Sequence, residues 1–236
     1  MIVSNRWKLA QNYEQNWWQN QAEKMDLSFY KGFADQVLEA INPYLTIQPD
    51  THILEIGSGA AGIITHLNSD YRFAIDPLEE FYSGIKKFSD YRDKNVIYKT
   101  GAGENLPFEK EFFDLIIIDN VLDHCDNPAL VLDEVKRVLK KNGIVFLRQN
   151  TYHLWGKFIR IIMEFFKIDK GHPHTFTKRS LKKIISGKNF VILSSKRGSY
   201  LKTWLKEIKS RRLLDKIKAL LLVNRDKVTL VLKRLP

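Results

Sequence analysis

Cysteine is nearly absent. Cys125 stands alone among 236 residues, so no intrachain disulfide framework can form and the chain suits a reducing compartment. Long apolar runs are missing too: nothing approaches the roughly 20 residues needed to cross a bilayer. The opening MIVSNRWKLAQNYEQNWW lacks the continuous apolar stretch of a signal peptide. A cytoplasmic location is expected, with peripheral contact at the inner membrane surface kept open. Internal repeats and low-complexity tracts are also lacking. Acidic residues are scarce in one place only. Residues 1–195 hold 25 Lys and Arg against 24 Asp and Glu, whereas residues 196–227 hold 11 against 3, which is +8 of the net +11. A nucleic-acid-binding protein more often spreads its positive charge along a groove. Here the excess is local.

What remains is an ordinary globular composition, 44% hydrophobic and 28% charged, in a chain long enough for one sizeable core. Strand-like runs alternate with helical ones: THILEI then AGIITHL, RFAID then PLEEFYSGIKKF, then NVIYKT, and FDLIIIDNVL then PALVLDEVKRVLKK and GIVFLRQ. Leu130, Val131, Val135, Val138 and Leu139 form an apolar stripe on the helix after Pro128, with Gly143 placed to end it. The strands are continuously apolar, as in a parallel sheet covered on both faces. This alternation predicts a doubly wound α/β sheet. After Gln149 come an aromatic-rich amphipathic helix in HLWGKFIRIIMEFFKI, a helix from about Thr177 to Gly187, and two last strands, FVILSSK and KVTLVLKRL.

The stretch HILEIGSGAAG carries the first chemical signal. Glycines after a parallel strand let the backbone approach a ligand and open a turn whose amides face it. Gly57, Gly59 and Gly62 match the dinucleotide pattern GxGxxG, and Asp76 follows Gly57 by 19 residues, where a carboxylate accepts from ribose hydroxyls. NAD is open on these grounds. Glu55 argues the other way: a carboxylate at that mouth repels a pyrophosphate and favours a ligand with a positive centre and no phosphate.

In these residues the chain resembles the class I S-adenosylmethionine (SAM)-dependent methyltransferases, in the small-molecule, methyltransferase type 11-like branch. The likeness covers roughly residues 50–150. LEIGSGAAG resembles the first motif and AIDP the acidic end of the second strand. GAGENLPFEKEFFDLIIIDNVLDHCDNP is similar to the third and fourth motifs, and LDEVKRVLKKNGIVFL to the following helix and fifth strand. The resemblance implies a Rossmann-like seven-stranded sheet, mostly parallel with an antiparallel last strand, N-terminal helices, and a helical insertion before the last strand. It implies a single domain: a helical cover over 1–49, a SAM-binding core over 50–150, and an acceptor-pocket region over 151–236 with a basic helical insertion at about 199–225. Gly57, Gly59 and Ser58 would line the methionine part of SAM and Glu55 its ammonium. Asp76 would hold the ribose diol, with Pro77 and Leu78 near the adenine. The family often has Asp where this chain has Ala102, which leaves Gly103 and Glu104 for the adenine end. Asn120 and Val121 would flank the reacting methyl, and Tyr13 or Trp17 would pack on the cofactor from the preceding helix.

For the acceptor, the Asn-Pro-Pro-aromatic or Asp-Pro-Pro-aromatic turn used on exocyclic base amines is missing; DNVLDHC stands there. Candidate bases are His124, His153, His172 and His174. The pair His172 and His174 shows no third ligand at plausible spacing, so no metal is expected. Trp204, Leu205, Ile208, Leu213, Ile217, Leu220 and Leu221 recur at helical intervals, with Lys202, Lys206, Lys209, Arg211, Arg212, Lys216 and Lys218 between them. Such a helix is expected to pack as a subdomain, to lie on an anionic membrane surface, or to bind a phosphorylated or RNA acceptor. The expected activity is methyl transfer to a small molecule, a saccharide or lipid-linked acceptor among the candidates, at oxygen in preference to nitrogen or carbon. The rivals are an RNA methyltransferase and a SAM-binding fold without turnover, the latter favoured only by Ala102.

Overall fold

The computed structural model describes residues 3–166, 170–210 and 213–235. Its strands are β1 (His52–Ile56), β2 (Tyr71–Asp76), β3 (Val96–Thr100), β4 (Phe113–Asp119), β5 (Leu139–Thr151), β6 (Phe190–Arg197) and β7 (Asp226–Arg234). They form a single sheet in the order β3-β2-β1-β4-β5-β7-β6. β1 to β5 pair in parallel, and β7 runs antiparallel between β5 and β6. This is the mostly parallel seven-stranded sheet with an antiparallel last strand that the sequence implies. The strand order reverses between β1 and β4, and an open α/β sheet offers its binding crevice at such a reversal.

The helices are α1 (Asn5–Gln21), α2 (Phe29–Ile41), α3 (Glu79–Ser83), α4 (Lys86–Tyr91), α5 (Pro128–Val138), α6 (Leu154–Phe165), α7 (Lys178–Ser186), α8 (Tyr200–Ile208) and α9 (Leu213–Leu220). On one face of the sheet α5 and α7 bury Val131, Leu132, Leu181 and Ile185 against Leu54, Ile56 and Ile116. On the other, Trp18 of α1, Val37 of α2, and Tyr82 and Phe88 from α3 and α4 cover Ile53 and Leu115. The two-residue period of β1 therefore puts Glu55 on the Ile53 side, under the N-terminal helices. α5 starts where Asn127 Oδ1 accepts from the Ala129 and Leu130 amides, with Pro128 in the first turn. α7 starts with a reciprocal Thr177–Ser180 capping box and ends at Gly187.

Four local expectations are corrected. AGIITHL forms only a 3-10 turn over Ile63–His66, its first two amides capped by the Glu55 carboxylate. PLEEFYSGIKKF divides at Gly84 into α3 and α4. Gly143 does not end α5: the chain passes from Val138 straight into β5, and the left-handed residue is Asn142, at φ 64°. Gly143 is needed for packing instead, since a Cβ there would lie 2.8 Å from the Leu139 side chain. The basic segment forms two helices, α8 and α9, with Arg211 and Arg212 outside the described residues.

Candidate functional site

A cavity of about 330 Å³ opens at the carboxyl ends of β1, β2, β4 and β5, within the range of small-molecule sites. Gly57 and Gly59 sit at φ 71° and 60°, in the left-handed region where a side chain is strained. At Gly57 a Cβ would also overlap the Val121 methyls. Val121 leaves the cavity wall no room for anything larger.

Glu55 is buried at the base of this turn, its carboxylate accepting from Ile63 N at 3.1 Å and Ile64 N at 2.8 Å. It holds the glycine turn in shape while lining the cavity. Burial pushes its carboxyl up to about 8 against those two bonds, with Asp119 and Asp76 adding repulsion. Asp76 accepts from Gly59 N and Leu78 N, both at 2.9 Å. Burial raises it to about 7, its bonds to the Leu78 and Gly59 amides oppose the rise, and the charges of Glu14 and Glu79 add to it. At pH 7 burial thus holds Asp76 about half protonated and Glu55 mostly protonated, and both are poised to ionise beside a cation.

Of the other expected residues, Ser58, Pro77, Gly103, Glu104, Asn120 and Val121 all line the cavity. Ser58 Oγ is buried with no hydrogen-bond partner, a donor and acceptor left for a ligand. Glu104 Oε1 accepts from the Asp126 and Asn127 amides at 2.8 and 3.0 Å, so it also fixes the loop into α5. Asn120 adopts φ 58°, its amide donating to Arg148 O at 2.7 Å and its Oδ1 accepting from Asn150 N. Ala102 is not part of the wall, whereas its neighbours Gly101 and Gly103 are.

Tyr13 and Trp17 are corrected. They are 47% and 43% exposed and lie outside the wall, which α1 builds from Trp7, Gln11, Glu14 and Trp18. That 7-11-14-18 spacing is one helical face, turned about one residue from the expected one. Trp17 meets Trp18 edge-on at 5.1 Å, and Tyr13 approaches Gly171.

The four histidines separate. His124 lines the cavity, with Nδ1 3.3 Å from Glu14 Oε2. His172 lies beside it, ring centroids 4.5 Å apart and planes tilted by 50°. Burial would raise the Glu14 carboxyl, but His124 and His172 outweigh it and hold the group low. His153 instead caps α6, accepting from Gly156 N, and its Nε2 meets Leu222 O. His174 is bonded to Asp126 O. Neither lines the cavity. The sequence offers no third ligand beside His172 and His174, and no metal is expected on that ground; the structure instead groups His172 with Asp123 and His124, one ligand atom of each within 4.8 Å of the others. That set has the donor chemistry for a single cation.

Sequence reasoning missed the far wall. Phe29 and Phe33 of α2, Asn150 of β5, and Arg225 and Lys227 at the start of β7 complete the cavity. Lys227 Nζ lies 5.5 Å from the centre of the Phe33 ring, and the Arg148 guanidinium lies 4.3 Å from the same ring. Arg148 is bonded to Asp119, and among the described residues neither Arg225 nor Lys227 forms a salt bridge. Desolvation pulls the Lys227 ammonium below its ordinary range, with Arg148 and Arg225 adding repulsion and the nearby Asp119 charge opposing them. Asp76 on β2 and Lys227 on β7 are four strands apart in the sheet order, about 19 Å at the usual strand spacing. The cavity is thus acidic at one end and basic at the other.

Residues 54–147 match the family model described as a methyltransferase domain. An uncharacterised protein of Methanocaldococcus jannaschii is 32% identical over 110 residues, 47% of this chain and 48% of that one; the match spans about half of that relative's length. Among solved structures, the YcgJ protein of Bacillus subtilis superposes with a TM-score of 0.62 at 14% identity, over 86% of this chain and 99% of its own. Geranyl diphosphate C-methyltransferase from Streptomyces coelicolor, crystallised with Mg2+, geranyl diphosphate and S-adenosylhomocysteine, does so with 0.65 at 14% identity, over 85% and 79%.

Proposed function

We propose that this chain transfers a methyl group from SAM to an oxygen of a small molecule that also bears an anionic group, a reading supported by the match of residues 54–147 to a methyltransferase-domain model and by the sheet order. The observation that carries this reading is the charge division of the cavity: Glu14, Glu55, Asp76 and Glu104 at one end, Arg225 and Lys227 at the other. The acidic end fits the ammonium, sulfonium and ribose diol of SAM, and Ser58 Oγ and the turn amides offer further bonds. When bound, SAM supplies a methyl carbon already activated by its sulfonium.

The chain's own task is then positioning and proton removal. Asn120, Val121 and His124 stand in the same wall, the His124 amide donating to Val121 O at 2.9 Å. An acceptor hydroxyl must lose its proton as it bonds to carbon, while an uncharged amine attacks with its lone pair before losing one. A histidine buttressed by Glu14 at 3.3 Å is the arrangement a hydroxyl acceptor calls for, with His124 taking the proton. Arg225 and Lys227 would anchor the acceptor's anionic group.

The test is titration of SAM by calorimetry, then transfer of labelled methyl into cell-extract fractions divided by anion exchange. Label is expected in retained, non-polymeric product. Arg225→Ala and Lys227→Ala should raise acceptor KM about tenfold or more with SAM affinity unchanged, and His124→Ala should lower kcat roughly a hundredfold. No SAM binding would end the reading, and label in a cationic product or in RNA would end the acceptor assignment.

A further inference from the structure

α6 is turned inside out. Leu154, Phe158, Ile161 and Phe165 form one helical stripe at the i, i+4, i+7, i+11 positions, and it faces solvent, Leu154 and Phe165 being 81% and 82% exposed. The opposite side of the helix, through Gly156 and Arg160, is the buried one. An ordinary amphipathic helix buries its apolar stripe. α8 and α9 repeat the inversion on a smaller scale, with Leu201 and Leu205 outward on one, and Leu213, Ile217 and Leu220 outward on the other. Their inward anchors are Trp204, whose indole donates to Ala219 O at 3.1 Å, and the buried Ala219 itself.

The three helices are tied together at Leu221 and Leu222. Trp155 Nε1 at the start of α6 donates to Leu221 O at 2.9 Å, just past α9, and Tyr200 at the start of α8 donates to Leu222 O. Exposed apolar patches of this extent mark contact surfaces. The charge around them identifies the contact. Lys202, Lys206, Lys209, Lys216 and Lys218 are exposed and have no carboxylate partner among the described residues. The nearby acids are occupied internally: Asp215 accepts from Ser210 Oγ, Glu207 from Asn224 Nδ2, and Glu164 from Arg6.

We propose that this face, α6 together with α8 and α9, docks on an anionic lipid bilayer, its apolar stripes entering the acyl boundary and its lysines meeting the headgroups. No helix among the described residues is long and apolar enough to cross a membrane, so the contact is peripheral. A second copy of the chain fits the face less well, because it would set one unpaired lysine cluster against another. Arg225, in the cavity wall, follows the Leu220–Leu222 end of this face by three residues, which brings the basic end of the cavity next to the docked surface. The docking does not depend on the identity of the methyl acceptor.

Sedimentation of the full chain with sucrose-loaded vesicles of phosphatidylcholine, with and without phosphatidylglycerol, tests it. Binding is expected only where phosphatidylglycerol is present, weakened by salt. Phe158→Ser with Phe165→Ser, and separately Lys202→Glu with Lys209→Glu, should each reduce partitioning at least tenfold while circular dichroism and SAM affinity stay at wild-type values. Equal sedimentation with both vesicle types, no sedimentation at all, or unaltered partitioning of either variant overturns the proposal. So does a concentration-dependent dimer in analytical ultracentrifugation that Phe158→Ser abolishes, which would give the face to a second copy.

Discussion

Binding of SAM should release protons, and the amount follows from two carboxyls. Burial raises Asp76 to about 7 and Glu55 to about 8. At pH 7 Asp76 therefore holds about half a proton and Glu55 most of one. A cationic ligand between them favours both ionised forms, so on the order of one proton leaves per ligand bound at pH 7, and only about a tenth of one at pH 9. Calorimetric titrations at pH 7 in buffers of different ionisation enthalpy should give binding enthalpies that become more negative, linearly, as that enthalpy grows, because the buffer takes up the released protons. Affinity should climb by about tenfold or more from pH 6 to pH 8 on the Asp76 contribution alone. The ligand-free protein should behave oppositely. Both groups bind protons more tightly folded than unfolded, so their contribution to stability is fully present below the ordinary carboxylate range. It is lost as pH rises through about 7 to 8. The Tm of the ligand-free chain should fall over the interval in which SAM affinity grows. Asp76→Asn should weaken SAM at least tenfold, remove its share of the proton release, and leave Tm unchanged or higher at pH 8. Buffer-independent enthalpies at pH 7, or proton uptake, would refute the reasoning, because they would mean that the carboxyls are already ionised or do not meet the cation.

Two further outcomes concern the frame of the site. Gly57→Ala should cost about 1–3 kcal/mol in urea denaturation, from its φ of 71° and the collision with Val121; Val121→Ala in the same chain should recover the collision part only. Arg92 is bidentate to buried Glu79 at 2.7 and 2.9 Å, donates to Ala60 O at 2.8 Å and covers the Tyr98 ring. Arg92→Met should cost about 3–5 kcal/mol by leaving that carboxylate unpaired, and Arg92→Met with Glu79→Gln should cost less than Arg92→Met alone.

The sheet and the acidic half of the site are legible in the sequence because both rest on short-range pattern. Apolar strands, the glycine turn, and Glu55 and Asp76 at strand ends are each fixed within a few residues of the signal that announces them. What fails is what depends on rotation or on distance. An aromatic-rich helix such as NYEQNWWQN carries apolar residues on several sides, so its sequence does not say that Glu14 and Trp18, one step round from Tyr13 and Trp17, will face the cavity. The pairing of His124 with Glu14 and His172 joins residues 110 and 48 positions apart, which spacing rules built for local motifs do not reach.

Arg225 and Lys227 show the same limit, and why it matters for specificity. In sequence they look like the tail of a basic run whose charge needs no individual explanation. β7 inserts antiparallel between β5 and β6, and that topology alone pairs Lys227 with Asn150 of β5, on the rim of the crevice. An antiparallel insertion reverses which end of the strand meets the carboxyl edge of the sheet, so the first residues of β7, rather than its last, reach the basic end of the cavity. The acidic end is built by local turns after β1 and β2, while the basic end is built by the last strand to join the sheet. Substitutions in the strand that closes the fold can thus change the charge at the basic end without disturbing the carboxyls at the other.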